Sequence, residues 1–514
     1  MSTTSISVVL ASLLTVLFFW FRKPKVSRAS LPPGPKPLPL LGNITDLSLK
    51  ELWLPAIQWA KQYGDVVYLH VLGQGLVFLN SPEAAFDLLD KRGSIYSDKP
   101  SFVMVGELCG CKNMMAFTSY GNQSKRQRRI AHKAFGAPII PSYHPLILTG
   151  THAFLKRLVV DPAEYMRHVR RYAGGLTLSV VYGYEAVSNE DQFLGLAEEC
   201  VDLLANRIAS GGGIWPVDIF PFLRHIPLWM PGSGFKKNAI IWKKKMEEFV
   251  DRPFEYVKTS MKSGSYKPSF CSTLLEDESM KGVDQIEFDL KWVANSMYSA
   301  SIDTTIAMVS NFMLAMVFHP DAQRKAQREI DDIVGQDRLP TFADRASLPF
   351  VEAVYKESLR WASPLPLSLP HRLMEDDVYQ GMHIPKGSLI FGNIWAMTRN
   401  ETMYPDAASF RPERFMEPAT PEMGRKMDPK NFVFGFGRRQ CPGTHLVESS
   451  AWLLIASVLA TLKISKAVDE HGNIVEPVVQ YDNSIFRSPN RFDCDIRPRS
   501  EKALSLIRQS ELPA

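Results

Sequence analysis

From Phe288 to Phe318 the chain carries one long apolar-periodic run, closed by His319-Pro320. Proline ends a helical pattern, because it lacks the N–H and restricts the residue before it. About thirty residues at 1.5 Å each make a rod of about 45 Å, enough to cross a whole domain. Whatever this chain folds into is built around that rod. Its middle reads Ala300-Ser301-Ile302-Asp303-Thr304-Thr305, polar groups where a buried helix should be greasy. Either the threonines bond back to preceding carbonyls and merely bend the helix, or Asp303 and Thr304 open a water-filled notch.

With 514 residues and ordinary apolar content, the chain can bury a large core. Length alone suggests two or more domains, yet no internal linker and no repeat appears. A net charge of +5 is mild for this size and does not argue for nucleic acid. The six cysteines lack the spacing of a disulfide framework, so reduced thiols and a cytosol-facing body are expected. Cys109-Gly110-Cys111 has no second Cys or His pair beside it and reads as loop thiols.

A second stretch carries chemistry: Phe434-Gly435-Phe436-Gly437-Arg438-Arg439-Gln440-Cys441-Pro442-Gly443, just before an apolar run from Leu446 to Leu454 that reads as a helix. Its glycines allow close backbone approach to a flat ligand. Pro442 suits a first helical turn. Cys441 would then lie at the positive end of a helix, which favours thiolate. The other five cysteines read as small buried hydrophobes. The pattern Phe434-x-x-Gly437-x-Arg439-x-Cys441-x-Gly443 resembles the haem-binding signature of the cytochrome P450 family, a thiolate-ligated haem class.

That resemblance covers about residues 31 to 500 and implies a mainly α fold with a small β region, haem b (iron protoporphyrin IX) lying between the long helix and the Cys441 loop. Arg128 matches the arginine of the family's Trp-x-x-x-Arg pattern, which pairs with a haem propionate; Ser124 stands in place of the tryptophan. His371, in Pro370-His371-Arg372, matches another propionate-binding position. Asp303 and Thr304 match the acid–threonine pair that relays protons during oxygen activation, with Ser301 replacing a usual glycine and tightening the notch. Glu357, Arg360 and Arg414 would form a buried structural triad. Phe102, Val103, Met104, Leu367 and Leu369 fall at substrate-lining positions and imply an apolar ligand.

Elsewhere, Ile6 to Phe21 is uncharged and followed by Arg22, Lys23, Lys25 and Arg28. Sixteen helical residues reach about 24 Å, which flanking residues and snorkelling bases extend toward the ~27 Å of an endoplasmic-reticulum bilayer. A cleaved signal would carry its charges first. Residues 1–21 thus read as an N-terminal transmembrane anchor, with a buried core helix as the weaker reading. Residues 22–40 read as a basic, proline-rich hinge, and 41–514 as the catalytic domain facing the cytosol. Val66 to Leu79 reads as a hairpin and Ser81 to Asp90 as a capped helix. From about 120 to 465 the pattern is mostly helical, with few strands gathered near both ends. Val217 to Phe235, apolar and proline-broken, reads as a core loop or a membrane-dipping one. Lys125, Arg126, Arg129 and Lys133 read as a solvated face or as a docking surface for an acidic partner.

The expected activity is insertion of one oxygen atom from O2 into a C–H bond of an apolar small molecule, a fungal secondary metabolite or a xenobiotic. Strings such as Arg92-Gly93-Ser94-Ile95-Tyr96-Ser97 resemble fungal microsomal members. No nicotinamide or flavin fingerprint is evident, so electrons are expected from NADPH–cytochrome P450 reductase, with cytochrome b5 as a second donor. Two rivals stand beside this: an isomerase or dehydratase of the same fold acting without O2, and a non-catalytic, membrane-anchored haem binder. A zinc or iron–sulfur protein is a poor third, since one thiolate cannot fill a tetrahedral site.

Overall fold

The long apolar run is a single helix, and the other helices are arranged around it. The computed structural model describes residues 29–510 except 49, 210–214, 281–284, 418–419 and 482–484; the expected anchor and the start of the hinge lie outside the described residues. Helices of about three turns or more are α1 Trp53–Tyr63, α2 Asn122–Phe135, α3 His144–Val160, α4 Tyr165–Tyr182, α5 Gln192–Asp202, α6 Gly234–Lys262, α7 Ile286–Phe318, α8 Pro320–Ile333, α9 Pro349–Trp361 and α10 Thr444–Thr461. α7 packs against α2, α4, α6, α9 and α10, so it is covered on all sides, as an all-round apolar helix requires. α7 and α10 are long and apolar enough to cross a membrane, but most of each is buried inside the protein.

The predicted hairpin is β1 Val66–Val71 and β2 Gln74–Leu79. Its two turn residues, Leu72 and Gly73, have φ of 49° and 87°, the left-handed pair that matches strand twist. Four short strands follow: β3 His371–Arg372, β4 Asp377–Tyr379, β5 Met382–Ile384 and β6 Leu389–Gly392. β2 pairs in parallel with β6, from Leu76↔Leu389 to Leu79↔Gly392, and the sheet order is β1-β2-β6-β3. β4 and β5 pair with each other, and β7 Leu462–Val468, β8 Ile474–Val475 and β9 Cys494–Pro498 form a third sheet, ordered β8-β7-β9.

The expectation of strands only near the ends is therefore corrected: β3 to β6 lie inside the stretch read as helical. Strands of two to four residues are too short to show a two-residue period. Ser81 does cap a helix, its hydroxyl accepting from Ala84 N at 3.3 Å, but after Ala85 that helix widens into a π turn, Phe86–Lys91. Cys109 stands in a bend and Cys111 opens a single 3-10 turn, and both side chains are packed into the main core as small hydrophobes; burial pushes the Cys109 thiol up to about 12.

The expected triad is present. Arg360 Nε and Nη2 grip Glu357 at 2.7 and 2.8 Å, and Arg414 Nε reaches it at 3.2 Å. All three are buried. The remaining guanidinium hydrogens go to carbonyls of Thr398, Ala407, Pro405 and Asp406, which is the satisfaction a buried ion set needs.

Candidate active site

Backbone geometry shapes the Cys441 loop. Gly435 and Gly437 take φ of 76° and 49°, and a Cβ on Gly437 would lie 2.6 Å from the Leu89 carbonyl oxygen, so no side chain fits there. Cys441 N donates to the Phe434 carbonyl at 2.8 Å, while the Phe434 ring packs against the main core. Thr444 Oγ1 donates to the Cys441 carbonyl at 2.7 Å. α10 begins only at Thr444 with Gly443 as its cap, so Pro442 precedes the helix instead of sitting in its first turn. The bare face of Gly443 looks at the Cys441 sulfur and at Met297 of α7, 3.8 and 3.4 Å from where a Cβ would be. The loop thus faces α7 one turn before Ala300.

Cys441 is exposed, yet burial pushes its thiol up, outweighing the Gly443 N–H, Arg128 and the Thr444 hydroxyl, which pull it down. The Gly443 N–H before the helix pulls toward thiolate as the sequence reading expects, but burial outweighs it; a coordinated metal cation would complete the shift, because it deprotonates a thiol outright.

Basic groups converge beside this loop. Arg128, on α2, donates to the Gln440 carbonyl. Arg439 donates to the carbonyls of Ser97 and Thr118 at 2.7 and 2.8 Å. His371 is buried, and its Nδ1 donates to the Tyr96 carbonyl at 2.8 Å. A fourth member escaped the sequence reading: Lys99, only 5% exposed, donates to the carbonyls of Leu369 and Pro370 at 3.2 Å each. Burial, then the charges of Arg439 and Arg128, hold Lys99 well below its usual range. Burial, then Lys99, does the same to His371, and burial, then Arg128, brings Arg439 down to about 10. The nearby acid, Asp98, is taken by Arg372 at 2.8 Å and by Tyr120 N at 2.7 Å. Among the described residues, none of the four basic groups hydrogen-bonds a carboxylate. Ser124, where a tryptophan was expected, closes a capping box with Gly121 at 3.0 Å, so it starts α2 instead of joining the cluster.

On α7, Thr304 Oγ1 donates to the Ala300 carbonyl at 2.7 Å, so the back-bonding reading holds for this residue. Asp303 and Thr304 are half-buried. Ser301 does not tighten the notch: its hydroxyl donates to the Tyr298 carbonyl at 2.9 Å and accepts from Thr177 of α4 at 2.8 Å. Of the basic face on α2, Arg126 pairs with Asp289 at 2.5 Å and Lys133 with Asp277 at 3.2 Å; Lys125, Arg129 and Lys133 are exposed.

The family model for cytochrome P450 matches residues 32–480. This chain belongs to the cytochrome P450 family. It is 40% identical over 506 residues to cytochrome P450 monooxygenase claT of Ampulloclitocybe clavipes, covering 98% of this chain and 99% of the relative. Against cytochrome P450 monooxygenase 176 of Postia placenta it is 39% identical over 502 residues, 96% of each. Against cytochrome P450 monooxygenase ple1 of Rhodocybe pseudopiperita it is 39% identical over 499 residues, 96% of this chain and 95% of the relative. As a cytochrome P450 it is an oxygen-incorporating oxidoreductase with haem as its cofactor. The residues fit that group. Haem carries two carboxylates, and four basic groups stand together with no hydrogen bond to an acid among the described residues. It carries an iron, and Cys441 is a free, exposed cysteine that can ligate it. It is flat, and the glycine-rich loop keeps its face toward α7 bare.

Proposed function

We propose that this cytochrome P450 is a membrane-bound monooxygenase of apolar small molecules, a fungal secondary metabolite or a xenobiotic, in which Cys441 is the iron ligand. The observation that carries the reading is the exposed, unpaired Cys441 on a glycine-rich loop that faces α7, with Arg128, Lys99, His371 and Arg439 gathered beside it and bonded to backbone carbonyls. Arg128, Lys99, His371 and Arg439 would hold the two carboxylates of haem. Phe434, Gly437 and Gly443 would shape the loop against its proximal face. When bound, thiolate-ligated haem supplies the oxidising chemistry, in which O2, two electrons and two protons convert a C–H bond to C–OH and water.

The chain's own part is positioning and proton handling. Thr304 donates its hydroxyl hydrogen bond to the Ala300 carbonyl and so presents its oxygen lone pairs, which would hold an incoming water at Oγ1. Asp303, half-buried one residue earlier, is the acid that passes protons inward from solvent. The apolar side chains of Phe102, Val103, Met104 and Leu367 orient substrate and exclude bulk water. Electrons would come from NADPH–cytochrome P450 reductase, with cytochrome b5 as a second donor, docked by the exposed Lys125, Arg129 and Arg438. Residues 1–21 would anchor the protein in the endoplasmic reticulum membrane and 22–40 would lead to the cytosolic domain 41–514. Trp229 at 80% and Phe222 at 67% exposure support a second membrane-touching segment, since apolar side chains this open mark an interaction surface.

The test is the absorption spectrum of the reduced protein under carbon monoxide, with Cys441→Ala beside it. A strongly red-shifted Soret band that the variant loses is expected. A haem-loaded protein without that band would remove Cys441 as ligand and the monooxygenase reading with it.

A further inference from the structure

Asp218 has no part in the chemistry above. It lies in a one-turn helix, Pro216–Ile219, yet its carboxylate accepts the backbone N–H of Met104 at 2.9 Å, a residue 114 positions away in sequence. The Val103 N–H points to it as well. These two groups open a π-helical turn, Val103–Leu108, whose first N–H groups have no partner inside the turn. A charged acceptor makes such bonds roughly twice as strong as neutral ones. Farther out, Arg224 grips both oxygens of Glu107 at 3.0 and 2.9 Å. That outer pair is open to solvent on both sides and holds weakly, so Asp218 is the main fastening.

The segment carrying Asp218 is itself fixed. Trp215 Nε1 donates to the Ile208 carbonyl at 2.9 Å, and its ring meets Trp242 of α6 at 6.0 Å. We propose that Asp218 is a positioning residue for substrate selection: by holding the Val103 and Met104 N–H groups it fixes the apolar turn 103–108 against segment 215–225, and so sets the size of ligand admitted. The proposal rests on the reading of Phe102 to Met104 as substrate-facing.

The test compares full-length, haem-loaded wild type with Asp218→Ala and Asp218→Asn. Hydrogen exchange is followed on the peptide covering 102–109, and binding of imidazole and of a bulky trityl imidazole is followed by absorbance. For Asp218→Ala, exchange about tenfold faster is expected, the scale of one charge-assisted hydrogen bond. The affinity ratio between the two azoles should shift by a similar factor, at unchanged melting temperature. Asp218→Asn, which keeps one acceptor, should fall between, and it carries the test alone if the alanine variant does not fold. Wild-type exchange in the variants, or an unchanged azole ratio, overturns the proposal. Absence of any azole band in wild type would instead overturn the haem reading, and the exchange data would still decide the Asp218 fastening.

Discussion

Burying an ammonium group against two carbonyls, with two guanidinium groups in range, costs free energy until an anion joins them. Lys99 is in that situation, and replacing it with methionine keeps most of its volume while removing the charge. The Lys99→Met protein is expected to lose haem to apomyoglobin about tenfold faster, the worth of one charge-assisted hydrogen bond. Its haem-free form should unfold at the same or a higher denaturant concentration. A haem transfer rate equal to wild type would take Lys99 out of the cofactor site. At this scale the sequence was uneven evidence. Cys441 stood out because a cysteine in a glycine-rich loop is rare, and Arg128, Arg439 and His371 stood at positions a resemblance could mark. Lys99 carries no local signal: its partners are the carbonyls of Leu369 and Pro370, 270 and 271 positions away, and only the fold brings them together. The role of Ser124 was hidden similarly, because a capping box depends on where the helix starts.

Among the elements, α7 bears the feature that sequence pattern misjudged. A serine in place of glycine was expected to crowd the notch, but Thr177 turns the Ser301 hydroxyl toward α4. That bond ties the two helices at the level of Asp303 and Thr304. Thr177→Val removes the hydroxyl without changing shape and should cost about 1 kcal/mol in denaturant unfolding. Ser301→Gly loses the same bond and adds the flexibility of a helix-interior glycine, for about 1.5–2.5 kcal/mol. If Ser301→Gly is as stable as wild type, the tie is not a stabilising contact. Long elements were readable because an apolar period sustained over eight turns has no other explanation; α7 begins two residues before the predicted start and ends where predicted. β3 to β6 and the π turns were not, since such short pieces owe their form to neighbours and not to propensity.

For the molecule as a whole, acid sensitivity follows from histidines that are wholly or partly buried. His144, His168 and His319, all remote from the Cys441 loop in sequence, are held below their usual value by burial. The unfolded chain takes up protons at about pH 6.5 that the fold refuses until lower pH, so stability is full above that value and declines as pH falls through it. The carboxylates held low by ion pairs, such as Glu448 beside Lys430, add to the loss only below about pH 4.5. Melting temperature should be level from pH 8 to 7 and fall between pH 6.5 and 5; a level curve down to pH 5 contradicts this. The parallel pairing of β2 with β6 also bears on how the protein is made. The two strands are 313 positions apart at Leu76 and Leu389, so at 5–20 residues per second β2 emerges from the ribosome roughly 15–60 s before its partner exists. Through that interval only β1 covers it, and its other edge, with Leu76 to Leu79, is open to pairing with the wrong chain. Until those 313 residues are added, that edge is the part of a newborn chain that shielding, by a chaperone or by distance from other chains, would protect.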